Sequence, residues 1–384
     1  MFSTKKRKEM TLEEVTLLLR ELRIPISLVF TPINLEKEKS KFFNSDVYNP
    51  QFEYRIVKNK NDKILEELSF VEKISDVDPR ISDFYIALIE EKGRASDLMH
   101  AVGNNDLVTE ISIERYREPS RILFKNAARV LRGYTKNYNL VEYPKDPKFL
   151  EYDQIEKVFM GVFKELGLKE WSVKESMNIA KQGAKIGVKN KEILLYKDIT
   201  RSTFKLRKTI VHEVGTHVLR AHNGEMTGFE ALSKANLSTY LDIEEGLAIW
   251  NEMNMGLLTE RWLKNRAAMV WAIYIGRDMS FRGLYNIVLG VLPKKTAFNV
   301  VSRVKRGLGD TSYPGIYAKD TAYLRGLRKI MKALEKEPRL YNKLYSGKID
   351  IKQCVWVEEG LIKKPSINPP TKEEWNEIFT KVGI

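Results

Sequence analysis

Cysteine is nearly absent from this chain: Cys354 is the single one in 384 residues. One thiol forms no intramolecular disulfide, no four-cysteine metal site and no redox pair, so the expected location is a reducing one, the cytoplasm. No apolar stretch of the kind a secretory signal carries follows the charged residues Met1 to Met10. Long hydrophobic runs are missing too. The longest, Ala267 to Gly276, is about half the roughly 20 residues of a membrane-spanning helix, which argues against a membrane partner. Internal repeats, heptad arrays and low-complexity tracts are absent. Helix-turn-helix, zinc-finger and aromatic RNP patterns are absent as well, so a nucleic-acid partner is disfavoured. Histidine is scarce, with four in the chain.

The 43% of hydrophobic residues suffice for one large core or two modest ones. Lysine and arginine outnumber aspartate and glutamate by 65 to 51, giving a formal net charge of +14. That excess suits an acidic partner. Residues 1–10 read as a basic tail. Residues 11–145 read as a helical N-terminal subdomain, with helices from Thr11 to before Pro25, about Leu65 to Val71, Ile81 to Glu91, and Pro119 to about Leu140. Between them, prolines and an Asn-Pro pair mark Thr31 to Tyr54 as loop-rich.

Residues 146–384 read as a second region of different texture. After a helix near Tyr152 to Leu166 come three short strands, Trp171 to Glu175, Lys185 to Val188 and Ile193 to Tyr196, separated by Gly183, Gly187 and Asn190-Lys191. Ser202 caps a helix from Thr203 to about His222, ending at Asn223-Gly224. A second helix starts near Asp242 and runs to Met255-Gly256. The chain stays helical to about Glu335, and its C-terminus mixes short strands with proline-rich loops. The fold class is α+β and mainly helical, with a small sheet next to the helix that starts at Thr203.

Three of the four histidines fall between His212 and His222, in His212-Glu-Val-Gly-Thr-His217 and at His222. A hydrolytic zinc ion takes three nitrogen or carboxylate ligands and keeps a fourth position for water, and an adjacent carboxylate takes the proton as that water attacks. Histidines at i and i+4 of a helix share a face, with glutamate after the first, the arrangement of a zincin-like metallopeptidase core, and on that reading residues 146–384 are the catalytic region. Here the spacing is i to i+5, which on a regular helix turns the two side chains about 140° apart. A one-residue π-bulge restores convergence, and Gly215 supplies backbone freedom for it. The third ligand is open between Glu244 and Glu245, with His222 a rival. Glu245 also fits a capping box with Asp242 as N-cap, and His222 fits a helix C-terminus that welcomes positive charge.

His-Glu-x-Gly-Thr-His, Asn223-Gly224 and Glu244-Glu-Gly-Leu-Ala248 together resemble the microtubule-associated tyrosine carboxypeptidase family. Its bacterial relatives are known as flavohemoglobin expression-modulating QEGLA-motif proteins. The likeness extends to Thr31-Pro-Ile-Asn34, Asn49-Pro-Gln-Phe-Glu-Tyr54 and Tyr317-Ala-Lys-Asp-Thr-Ala-Tyr-Leu-Arg-Gly-Leu327. It implies one Zn2+ held by His212, His217 and Glu245, with Glu213 as catalytic base. Glu244 stands where bacterial members carry glutamine. Animal members remove the C-terminal tyrosine of tubulin; the reaction class, more than that substrate, carries over.

The implied activity is a zinc metallocarboxypeptidase removing a C-terminal residue, aromatic residues among the candidates, from an acidic peptide or protein tail. The alternative is a zinc-binding regulatory protein without peptidase turnover. A terminal carboxylate suits an arginine fork, for which Arg303, Arg306 and Lys319 are candidates. Tyr323 is a candidate oxyanion donor. An extended substrate could pair with the sheet edge along Lys185 to Val188.

Overall fold

The structure, a computed structural model, describes residues 8–57, 61–177, 184–234 and 237–384. It is mainly helical with three small sheets. No helix among the described residues is long and apolar enough to cross a membrane. The chain divides into two units: Met1–Tyr134, Asn236–Ser238 and Lys264–Arg325 form the first, and Thr135–Ala235, Thr239–Leu263 and Gly326–Ile384 the second.

In the first unit, Thr11 and Glu14 form a capping box that starts the helix Leu12–Glu21. Most of the expected basic tail lies outside the described residues, but Lys8–Met10 is a strand, parallel to Val71–Ile74. Several helices differ from the sequence reading: Asn105–Tyr116 is not among those expected, and the helix expected from Pro119 to about Leu140 spans Arg121–Leu131. Leu35–Phe43 is helical inside the stretch read as loop, because it falls between the prolines and buries Phe42. The helix after Asp78 is longer than expected, Pro79–His100, with Asp78 as N-cap and Pro79 in the first turn, where a missing N–H costs nothing. Phe42 is a hub, packing on Phe281, Tyr285 and Phe298 at centroid separations of 4.7 to 5.2 Å, in edge and tilted geometries that aromatic rings favour.

In the second unit, the three expected strands form one sheet. Glu192–Tyr196 is central, parallel to Ser172–Ser176 and antiparallel to Ala184–Gly187. Its Ile193 and Leu195 are fully buried. Gly183 lies outside the described residues. Lys191 takes the left-handed conformation (φ 50°) in the connection. A separate two-stranded ribbon, Phe149–Glu151 with Thr200–Ser202, leads straight into the histidine-bearing helix. Beyond residue 340 the expected short strands do not occur among the described residues. That region is helical, ending in Lys372–Lys381, whose capping box pairs Thr371 with Glu374.

Candidate metal centre

Ser202 caps the histidine-bearing helix as its sequence predicts, its hydroxyl accepting from the Lys205 N–H at 3.3 Å. The helix is α-helical over Thr203–Thr209, π-helical over Ile210–Val218, and α-helical again over Leu219–Glu225. The irregularity demanded by the i to i+5 spacing is therefore present, as nine π-helical residues. With that winding His212 and His217 come together, their ring centroids 5.0 Å apart. Gly215 is helical and needs no left-handed freedom. A Cβ there would lie 2.8 Å from Cζ2 of Trp375, so the glycine makes room for the C-terminal helix.

The opposite wall is the helix Ser238–Asn254. It starts four residues before Asp242, so Asp242 is not its N-cap; that carboxylate instead accepts from Lys329 Nζ at 2.6 Å. Gly246 lies against the backbone of Gly326, a close approach that only a glycine permits. Glu245 Oε2 stands 3.6 Å from His212 Nε2. One ligand atom from each of His212, His217 and Glu245 lies within 4.8 Å of the others. Two imidazole nitrogens and a carboxylate oxygen are a donor set that zinc takes in hydrolases.

Each imidazole is held from behind by a carboxylate. His217 Nδ1 lies 2.7 Å from Glu244 Oε1, and His212 Nδ1 lies 2.8 Å from Glu252 Oε1. A neutral ring donating through Nδ1 presents the Nε2 lone pair to a metal. Glu244 is anchored in turn by Arg220, Tyr240 and, at 3.1 Å, Lys348. Lys208 stands 3.1 Å from Glu252. Burial pushes the Glu244 carboxyl up, but Lys348, Arg220 and His217 outweigh it and hold it well below the usual range. Burial works against a charge on His212, yet Glu245 and Glu252 hold it well above the ordinary imidazole value. The surroundings of His212 thus favour a cation, and the donor set fits one.

Glu213 is half-buried, and among the described residues its carboxylate makes no hydrogen bond or ion pair. Its charge acts on His212 and on Arg201. Arg201 is buried, and its guanidinium donates to Thr209 Oγ1 at 2.5 Å, one turn before Glu213.

His222 stands apart from the three converging residues, with its Nδ1 3.2 Å from Glu170. Its helix runs past the expected stop at Asn223-Gly224 because the Asn223 side chain is bonded to Ser366 and Ile367. Arg303, Arg306, Lys319 and Tyr323 belong to the first unit. There Arg303 and Arg306 pair with the buried Asp320, Arg303 Nε at 3.0 Å and Arg306 at 3.3 Å. Arg266 lies over the Tyr323 ring, 4.1 Å from its centroid. The sequence reading missed Glu252, which a signal could have revealed: it stands seven residues after Glu245, on the same helical face. Arg201 carried no such signal.

A profile of the microtubule-associated tyrosine carboxypeptidases matches residues 40–382. A putative tyrosine carboxypeptidase of Mus musculus is 25% identical over 319 residues, covering 82% of this chain and 52% of that protein. Microtubule-associated tyrosine carboxypeptidase 1 of Homo sapiens is 26% identical over 317 residues, covering 78% of this chain and 55% of its own length. The chain spans about half the length of these relatives. With the profile covering most of its residues, the chain belongs to the microtubule-associated tyrosine carboxypeptidase family.

Proposed function

We propose that this protein is a zinc-dependent carboxypeptidase with a zincin-like centre, removing a C-terminal residue, tyrosine by analogy with its relatives' names, from acidic peptide or protein tails in the cytoplasm. The observation that carries the reading is the convergence of His212, His217 and Glu245 beside an uncommitted Glu213. His212, His217 and Glu245 would hold the ion. Bound zinc supplies Lewis acidity, polarising the scissile carbonyl and bringing the pKa of attacking water to about 7. Glu213 takes the proton from that water and passes it to the departing amine. Glu244 and Glu252 keep both imidazoles turned with Nε2 inward.

Ala184–Gly187 is an edge strand of its sheet and approaches the π-helix, which suits pairing with an extended peptide. Arg303, Arg306 and Lys319 are the proposed carboxylate-binding residues, and Tyr323 the proposed oxyanion donor, on chemistry alone. Asp320 pairs with Arg266, Arg303 and Arg306, which holds these guanidinium groups in place. The deciding experiment measures zinc content by mass spectrometry together with release of the last residue from a peptide library. Zinc with no hydrolysis of any peptide would favour a regulatory zinc protein. Cleavage that survives C-terminal amidation would make it an endopeptidase.

A further inference from the structure

We propose that Tyr345, working with Asn251, is a positioning residue that fixes the π-helical register of Ile210–Val218, and with it the convergence of His212 and His217. The inference rests on the metal-centre reading and extends it to residues that touch no ligand atom.

In an α-helix the N–H of Leu219 would bond to the carbonyl of Gly215, four residues back. Here it bonds to the carbonyls of Val214 and Thr216, passing over Gly215. The Tyr345 hydroxyl takes the vacated role, donating to Gly215 O at 2.8 Å. Asn251 sits between Glu245 and Glu252 on the facing helix, and its single side-chain amide reaches both elements. One N–H goes to Thr216 Oγ1 at 2.7 Å, the other to Tyr345 Oη at 2.8 Å. Thr216 Oγ1 donates onward to Val211 O at 3.3 Å, and Tyr341 donates to Asn251 Oδ1 at 3.0 Å.

Every proton in this buried network has an acceptor, and the bonds run one way, from Tyr341 through Asn251 to two carbonyls of the π-helix. Reversing the Asn251 amide would set its oxygen against two hydroxyl oxygens whose hydrogens are already donated, so the orientation is fixed. A return to α-helical winding would give Gly215 O its ladder partner, strand the Tyr345 hydroxyl in the interior, and turn the imidazoles about 140° apart. The hydroxyl therefore biases the helix toward the winding that a shared ion requires. Because Asn251 shares a helix with Glu245, it ties the carboxylate's position to that of the histidines.

Tyr345→Phe removes one oxygen and keeps the ring. The wild type is first titrated with Zn2+ by chelator competition. In the variant the zinc dissociation constant is expected to rise about 10- to 100-fold, the gain in melting temperature on adding zinc to shrink, and backbone hydrogen exchange across 210–218 in metal-free protein to quicken. A melting temperature lowered equally with and without zinc, at unchanged affinity, would mark a purely structural tyrosine and overturn the inference. Should that variant not fold, Tyr341→Phe decides, with several-fold weaker zinc binding supporting the network and unchanged binding overturning it. A wild type that binds no zinc would sink the metal reading itself. The register claim is then judged by hydrogen exchange alone, and unchanged exchange refutes it.

Discussion

Replacing Glu213 by glutamine keeps its size and polarity and removes its capacity to take a proton. Because Glu213 is not among the converging donors, the variant is expected to retain zinc while turnover falls by about 10²- to 10⁴-fold, the range of a general base. His217→Ala should lose zinc as well as turnover. Metal content measured beside kcat separates the two roles, and equal zinc loss in both variants would show them misassigned. A second residue-scale expectation concerns Asp320. Burial alone would raise its carboxyl, but Arg303 and Arg306 hold it below the usual carboxylate range. A depressed folded value means stabilisation that is present above the unfolded value of about 3.9 and lost as pH falls through the folded one. Asp320→Asn should therefore cost about 1 to 3 kcal/mol near neutrality, since it takes the charged acceptor from the half-buried Arg303 and Arg306. In melting curves recorded across pH, the gap between wild type and variant should narrow below about pH 4. A gap independent of pH would mean that the carboxylate's charge contributes nothing to stability.

Two glycines on facing helices predict different penalties. Gly215→Ala meets the edge of the Trp375 ring, and a side chain can shift, so about 1 to 3 kcal/mol is expected, with part recovered by Trp375→Leu. Gly246→Ala meets the backbone of Gly326, which has no such freedom. Its loss in denaturant unfolding should be the larger, and the reverse order would contradict the packing. Elements of this kind were partly legible in the sequence. The three strands announce themselves by apolar residues between turn residues, and Ser202 by its place before a periodic helix. The Ser238–Asn254 helix misled because Asp242 has the chemistry of a cap but lies inside the helix, held by Lys329. Local spacing named the histidines and left the proposed third ligand open among Glu244, Glu245 and His222, because that choice depends on which side chain faces inward once the helices pack. Tyr345 and Asn251 left no trace in the sequence, because their roles exist only after three distant segments meet.

At the scale of the whole molecule, the formal charge of +14 bears on how substrate arrives. Exposed charges are screened within about 8 Å at physiological salt. For the proposed peptidase, kcat/KM on an acidic C-terminal peptide should fall as salt rises, while a neutral peptide with the same last residue changes little. Identical salt responses would assign the basic surface another purpose. The order of the second unit's segments along the chain has a consequence for biosynthesis. His212, His217 and Glu245 are translated first, Tyr345 follows Glu245 by 100 residues, and Trp375 comes later still. At about 5 to 20 residues per second, the motif waits on the order of 5 to 20 s for its supports. A nascent chain stalled before residue 340 would thus display the motif with no buttress beneath it, and the centre matures only after the segment that carries Tyr345 and Trp375 has been made.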